Sequence, residues 1–68
     1  MGKIDGVIKS YNPSTRYGFI TRDGVDFRFH HNDWESRLPP AKGIKVEFLQ
    51  EQTGKGKRAA HVTIRKEK

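Results

Sequence analysis

The chain has 68 residues, of which 14 are Lys or Arg and 8 are Asp or Glu, for a net charge of +6. A chain this short is one domain that buries only about 60% of its unfolded surface, too little to enclose a deep pocket, which counts against an enzyme; its lack of cysteine excludes a disulfide scaffold, a thiolate zinc finger and a Cys nucleophile. No apolar run approaches the roughly 20 residues of a membrane span, and the basic balance points to a polyanionic partner, of which nucleic acid is the commonest.

Taken in chain order, Met1 to Tyr11 lacks the apolar stretch of a secretory signal, so a cytoplasmic protein is expected. No window carries apolar residues at helical spacing over three turns. Short alternating segments recur instead, broken by Gly, Asn and Pro. Lys3 to Tyr11 reads as the first strand, followed by a turn at Asn12-Pro13-Ser14, where Pro fixes φ and the polar side chains bond nearby backbone. Arg16 to Arg22 is the second strand and Val25 to His30 the third, joined by Asp23-Gly24, a two-residue hairpin signal suited to a type I′ turn. Ser36 to Gly43 is a longer loop, because Pro39-Pro40 continues neither helix nor strand. Ile44 to Glu51 alternates, with Ile44, Val46 and Phe48 on one face and Lys45, Glu47 and Leu49 on the other. Thr53 to Gly56 is a basic turn. Arg58 to Arg65 is the fifth strand, with Ala60, Val62 and Ile64 inward, and the tail at 66–68 is expected to fray. Five short strands in so small a chain predict a closed all-β barrel, because closure removes exposed edges.

The second and third strands carry the chemistry. Successive strand residues face opposite sides, so Phe27 and Phe29 go inward while Arg28 and His30 go outward. In the second strand Tyr17 and Phe19 share one face and Gly18 and Ile20 the other. Alternation alone would put Tyr17 and Phe19 in the core, and periodicity does not settle whether they instead join Arg28 and His30 outside.

Gly6-Val7-Ile8-Lys9-Ser10-Tyr11-Asn12, Arg16-Tyr17-Gly18-Phe19-Ile20 and Asp26-Phe27-Arg28-Phe29-His30 resemble the cold shock domain. The first stretch is similar to the family's Gly-x-Val-Lys-Trp-Phe-Asn, and the other two to its two ribonucleoprotein motifs. Lys42 to Phe48 and Ala59 to Thr63 resemble the family's fourth and fifth strands. The resemblance implies a five-stranded antiparallel barrel of the oligonucleotide-binding type, with an outward aromatic platform for single-stranded RNA or DNA. Tyr17 and Phe19 then face outward, and Gly18 and Ile20 face the interior. A base stacked on such a ring is worth about 1–3 kcal/mol, whatever its sequence.

The chain departs from that pattern. Ser10 stands where the family has a stacking Trp, Arg28 where it has an exposed Phe, and His31 where it has another aromatic ring. Thr15 replaces a Lys near the phosphates, and the loop from Trp34 to Gly43 is shorter. The expected binder therefore leans more on charge and less on stacking. Its stacking residues are Tyr17, Phe19, His30 and His31. Trp34 is a further candidate entering from the loop side, the alternative being that it packs under Pro39-Pro40. Arg28 can stack through its guanidinium plane or attract phosphate, and Lys9, Lys55, Lys57 and Arg58 line the expected backbone path. A steep salt dependence follows, about −0.7 in log K per log salt for each phosphate contacted.

Other classes have weaker support. Gly54-Lys55 lacks the spacing of a phosphate-binding loop. His30-His31-Asn32-Asp33 offers metal-type ligands, but adjacent strand residues diverge, so the two His converge only if the strand breaks there. No cofactor and no catalysis are expected. A small-barrel protein-interaction or dimerisation module, using the exposed aromatic strands, is the alternative function, since exposed apolar patches mark interfaces of either kind. A monomer is expected, with a dimer as that alternative.

Overall fold

The computed structural model describes residues 2–65. Five strands, β1 (Ile4–Asn12), β2 (Tyr17–Arg22), β3 (Val25–His30), β4 (Lys45–Thr53) and β5 (Gly56–Ile64), form a closed barrel in the order β1-β2-β3-β5-β4. The all-β barrel expected from the sequence is present. Four pairings are antiparallel, and the seam between β3 and β5 is a short parallel one, with Arg28 opposite Arg58. A 3-10 turn at His31–Asp33 follows β3. Among the described residues no helix is long and apolar enough to cross a membrane. The tail at 66–68, expected to fray, lies outside the described residues.

The core explains why the strands alternate as they do. Ile8, Ile20, Phe27, Phe29, Trp34, Val46, Phe48, Ala59 and Val62 form one buried cluster, with Tyr11, Ile44 and Ile64 packed against it. Phe27 meets Phe48 at a centroid distance of 5.0 Å, and Phe29 lies between Tyr11 at 6.0 Å and Trp34 at 6.2 Å. Rings buried at this density carry much of the stability available to so small a domain.

Local chemistry sets the connections. Asp23 and Gly24 both have positive φ, at 51° and 80°, as a type I′ turn requires. Asn12 Oδ1 accepts from the backbone N–H of Ser14 at 2.9 Å, which closes the turn into β2. Gly18 is needed for a different reason. A Cβ there would lie 2.7 Å from both the Phe29 ring and the Ser10 carbonyl oxygen, so any larger residue would push β2 off the core.

Strict alternation fails in β5. Ala60 and Val62 are buried as expected, but Ala59 is buried too. His61 has a φ of 51°, and the β4–β5 register shifts between Glu47 and Leu49. This bulge resets the phase of the strand, so Ala59 and Ala60 both reach the core while His61 stays outside.

An ion cluster ties strands together away from the aromatic face. The Arg22 guanidinium donates to the Asp5 carbonyl at 2.9 Å and to its carboxylate, and Arg65 donates to the other carboxylate oxygen at 3.1 Å. The Arg22 hydrogen bond is the largest influence holding the Asp5 carboxyl below its ordinary value of 3.8.

Candidate nucleic-acid interface

The β2–β3 hairpin builds the outer face from its register. Tyr17 pairs with His30 and Phe19 with Arg28, so four side chains stand in two rows on the side away from the core. Tyr17 is 43% exposed and Phe19 41%, whereas Ile20, Phe27 and Phe29 beneath them are buried. The core placement that alternation alone gives Tyr17 and Phe19 is thus corrected: Gly18 and Ile20 take the inner face of β2, and the two rings are outside. The Tyr17 ring meets His30 edge-on at 4.7 Å, and the Arg28 guanidinium carbon lies 5.2 Å from the Tyr17 ring centroid. His30 is oriented from its other side, where its Nδ1 accepts the Asn32 backbone N–H at 3.0 Å.

Two grooves open beside this hairpin. One, of about 350 Å³, runs along Phe19, Arg28 and the β4–β5 turn residues Thr53, Lys55 and Gly56, with Lys57, Asp26 and Arg58. The other, of about 240 Å³, is walled by Tyr17, His30, Asn32 and Asp33. Arg28 and Arg58, opposite each other across the β3–β5 seam, belong to both grooves. Together they make one trough lined by the Tyr17 and Phe19 rings, by Arg28 among them, and by the cations of β5 and the β4–β5 turn.

The cations are not equivalent. Arg58 donates to Asp33 Oδ1 at 2.6 Å and to Glu51 Oε1 at 2.9 Å, while Asp33 Oδ2 accepts the backbone N–H of His30 at 3.1 Å. Arg58 is therefore a clamp joining β5 to β4 and to the 3-10 turn, and its charge is matched by two carboxylates. Lys9 pairs with Asp26 at 3.0 Å. Arg28, Lys55 and Lys57 have no carboxylate partner among the described residues, although Lys57 lies 5.9 Å from the centre of the Phe27 ring.

Eight of the ten sequence-derived candidates fall at this trough or at its border: Tyr17, Phe19, Arg28, His30, Lys55, Lys57 and Arg58 line it, and Lys9 borders it through Asp26. Trp34 is a correction. It is buried, 9% exposed, and its indole N–H donates to the Leu38 carbonyl at 2.6 Å. The loop that carries Pro39 and Pro40 satisfies the indole, and the ring packs against Phe29, so it presents no face to a base. His31 is exposed in the 3-10 turn, with its backbone N–H bonded to the Arg16 carbonyl at 2.8 Å, but it lines neither groove. The strand does break after His30, yet among the described residues no group of three or more His, Cys, Asp or Glu stands close enough to hold a metal.

The sequence reading missed the carboxylates in the trough. Asp26 was legible, since it shares the outward face of β3 with Arg28 and His30. Asp33 was not, because its place depends on the 3-10 turn.

Comparison with known proteins agrees with this architecture. The family model described as the 'Cold-shock' DNA-binding domain matches residues 4–65. Cold shock protein CspV of Vibrio cholerae serotype O1 is 36% identical over 64 residues, covering 88% of this chain and 91% of that protein. With a closed five-stranded barrel and a family match across almost all of it, the chain belongs to the cold-shock domain family of nucleic-acid-binding barrels.

Proposed function

We propose that this protein binds single-stranded RNA or DNA with low sequence selectivity, and that by holding strands unpaired it acts as an RNA chaperone in the cytoplasm. The observation that supports the reading best is the pair of half-exposed rings, Tyr17 and Phe19, side by side on β2. A chain with 32% hydrophobic residues that leaves two aromatic rings outside forgoes burial it could use. Stacking on bases accounts for that arrangement, because every base presents a π-face.

The charges set the second half of the mechanism. Arg28, Lys55 and Lys57 are the trough cations not matched by a carboxylate among the described residues, so two or three phosphates are neutralised directly. Arg28 lies over Tyr17, and a base entering there either stacks against the guanidinium or displaces it from the ring to the base's own edge.

The test is fluorescence anisotropy with a labelled pyrimidine-rich single strand and its duplex, across a salt series. Single-strand binding tighter than duplex binding is the expected result. With two or three phosphates contacted, log K falls with log salt at a slope of about −1.4 to −2. Equal affinity for strand and duplex would leave only a basic surface. No affinity for either, with concentration-dependent self-association, would favour a dimerisation module.

A further inference from the structure

We propose that Arg28 reads the edge of a base, and that it gives one position of the bound strand a preference for guanine. This deepens the single-strand reading above and rests on it. Three observations carry it.

The first is position. Arg28 is the register partner of Phe19 and lies diagonally beside Tyr17, with its guanidinium 5.2 Å from the Tyr17 ring centre. It stands among the rings on which bases would stack, rather than outside them where a sugar-phosphate chain would run. A base seated on Phe19 or Tyr17 therefore turns an edge toward the guanidinium.

The second is availability. Three carboxylates stand in or beside the trough, and each is taken by another cation: Asp26 by Lys9, and Asp33 and Glu51 by Arg58. Among the described residues the Arg28 guanidinium has no hydrogen-bond partner, only the ring contact. Its five N–H donors, in a rigid planar fork, remain free for a ligand.

The third is chemical matching. A guanidinium fork wants two adjacent acceptors. Guanine presents O6 and N7 side by side, whereas adenine offers N7 beside an amino donor and thymine or uracil places a donor between its two carbonyls. In a single strand these edges are open to reading as soon as the base is unstacked from its neighbours. Cytosine also has two adjacent acceptors, on its pairing edge, and is the competitor that the experiment must separate.

The experiment uses the intact protein and labelled oligothymidylates about eight nucleotides long, within the site size of such a barrel. One is unmodified, and the others carry a single guanine, a single 7-deazaguanine or a single cytosine. The guanine strand is expected to bind about tenfold more tightly than the unmodified one, the advantage of a good bidentate contact. Replacing N7 by carbon should remove most of that advantage, and cytosine should bind well below guanine. Arg28→Lys keeps a positive charge but loses the fork, so the ratio of guanine to thymine affinities should fall to about one.

Equal affinities for all four strands in the unaltered protein would overturn the guanine preference while leaving single-strand binding intact. Cytosine binding as tightly as guanine, or a guanine preference that survives in Arg28→Lys or with 7-deazaguanine, would overturn it as well. No binding to any strand would overturn both this inference and the functional reading beneath it. Because the modified bases alter the strand and not the protein, the outcome does not depend on how the Arg28 variant folds.

Discussion

The two faces of the β2–β3 hairpin use the same strands for opposite purposes. Inside, Ile20, Phe27 and Phe29 are at most 3% exposed and Gly18 is buried beside them, in a space so full that a single Cβ on Gly18 would collide. Outside, Tyr17, Phe19, Arg28 and His30 face away from the core, with the Tyr17 and Phe19 rings half-exposed and Arg28 without a carboxylate partner among the described residues. The difference teaches that aromatic content is a poor guide to burial here. Four of the chain's six Phe and Tyr residues lie within these two strands, and half of them stay out of the core. If the inner face holds the fold and the outer face holds the ligand, substitutions one residue apart should have separable effects.

The largest expected effect is on stability. Phe29→Ala removes a ring that packs between Tyr11 and Trp34 and should cost about 3–5 kcal/mol, measured by chemical denaturation. In a domain this small that approaches the whole stability. The outer counterpart is the double replacement Tyr17→Ala with Phe19→Ala, which should weaken single-strand binding by about 1–3 kcal/mol per ring and leave the barrel folded. Loss of folding in that double variant would show that the outer rings are structural, and the comparison would collapse.

Gly18→Ala sharpens the boundary between the faces. The added methyl meets the Phe29 ring and the Ser10 carbonyl, and backbone cannot give way as a side chain can. Overpacking of this kind costs about 1–3 kcal/mol, so a lower melting temperature is expected. Because the collision also lifts β2, the spacing of Tyr17 and Phe19 against Arg28 should change, and affinity should fall with stability. A variant that loses stability but binds as before would mean that the platform tolerates movement of its strand.

How much of this could be read from the residues depends on the range of the interaction. The hairpin was legible because Asp23-Gly24 and the split of Phe27 and Phe29 from Arg28 and His30 are local patterns. The orientation of Tyr17 and Phe19 was not, since period two fits either face, and it was the resemblance of the flanking motifs that pointed outward. The parallel β3–β5 seam lies between residues 30 positions apart, Arg28 and Arg58, and no local signal announces it. The same distance hid the fate of Arg58: in sequence it is a free cation in a basic stretch, and in the barrel it is matched by Asp33 and Glu51. Trp34 was left between stacking and packing, and the deciding contact is a carbonyl four residues on, which only the loop conformation brings under the indole.

The smallest expected effect concerns neither face. Asp5 joins Arg22 and Arg65 away from the trough, so altering it should move stability and not binding. Its carboxyl is held below its ordinary value of 3.8, first by the Arg22 hydrogen bond. A lowered folded-state pKa means that the charged form favours the folded barrel. That contribution is complete above the ordinary carboxylate range and is lost as pH falls through the lowered value. Asp5→Asn should therefore melt slightly below the unaltered protein near neutral pH, with the gap closing as both are taken into acid. The gap should be small because exposed ion pairs contribute little, and it should shrink further in high salt. A gap that persists unchanged in strong acid would mean that the Asn disturbs β1 itself, and that the Asp5 charge is not what stabilises this part of the barrel.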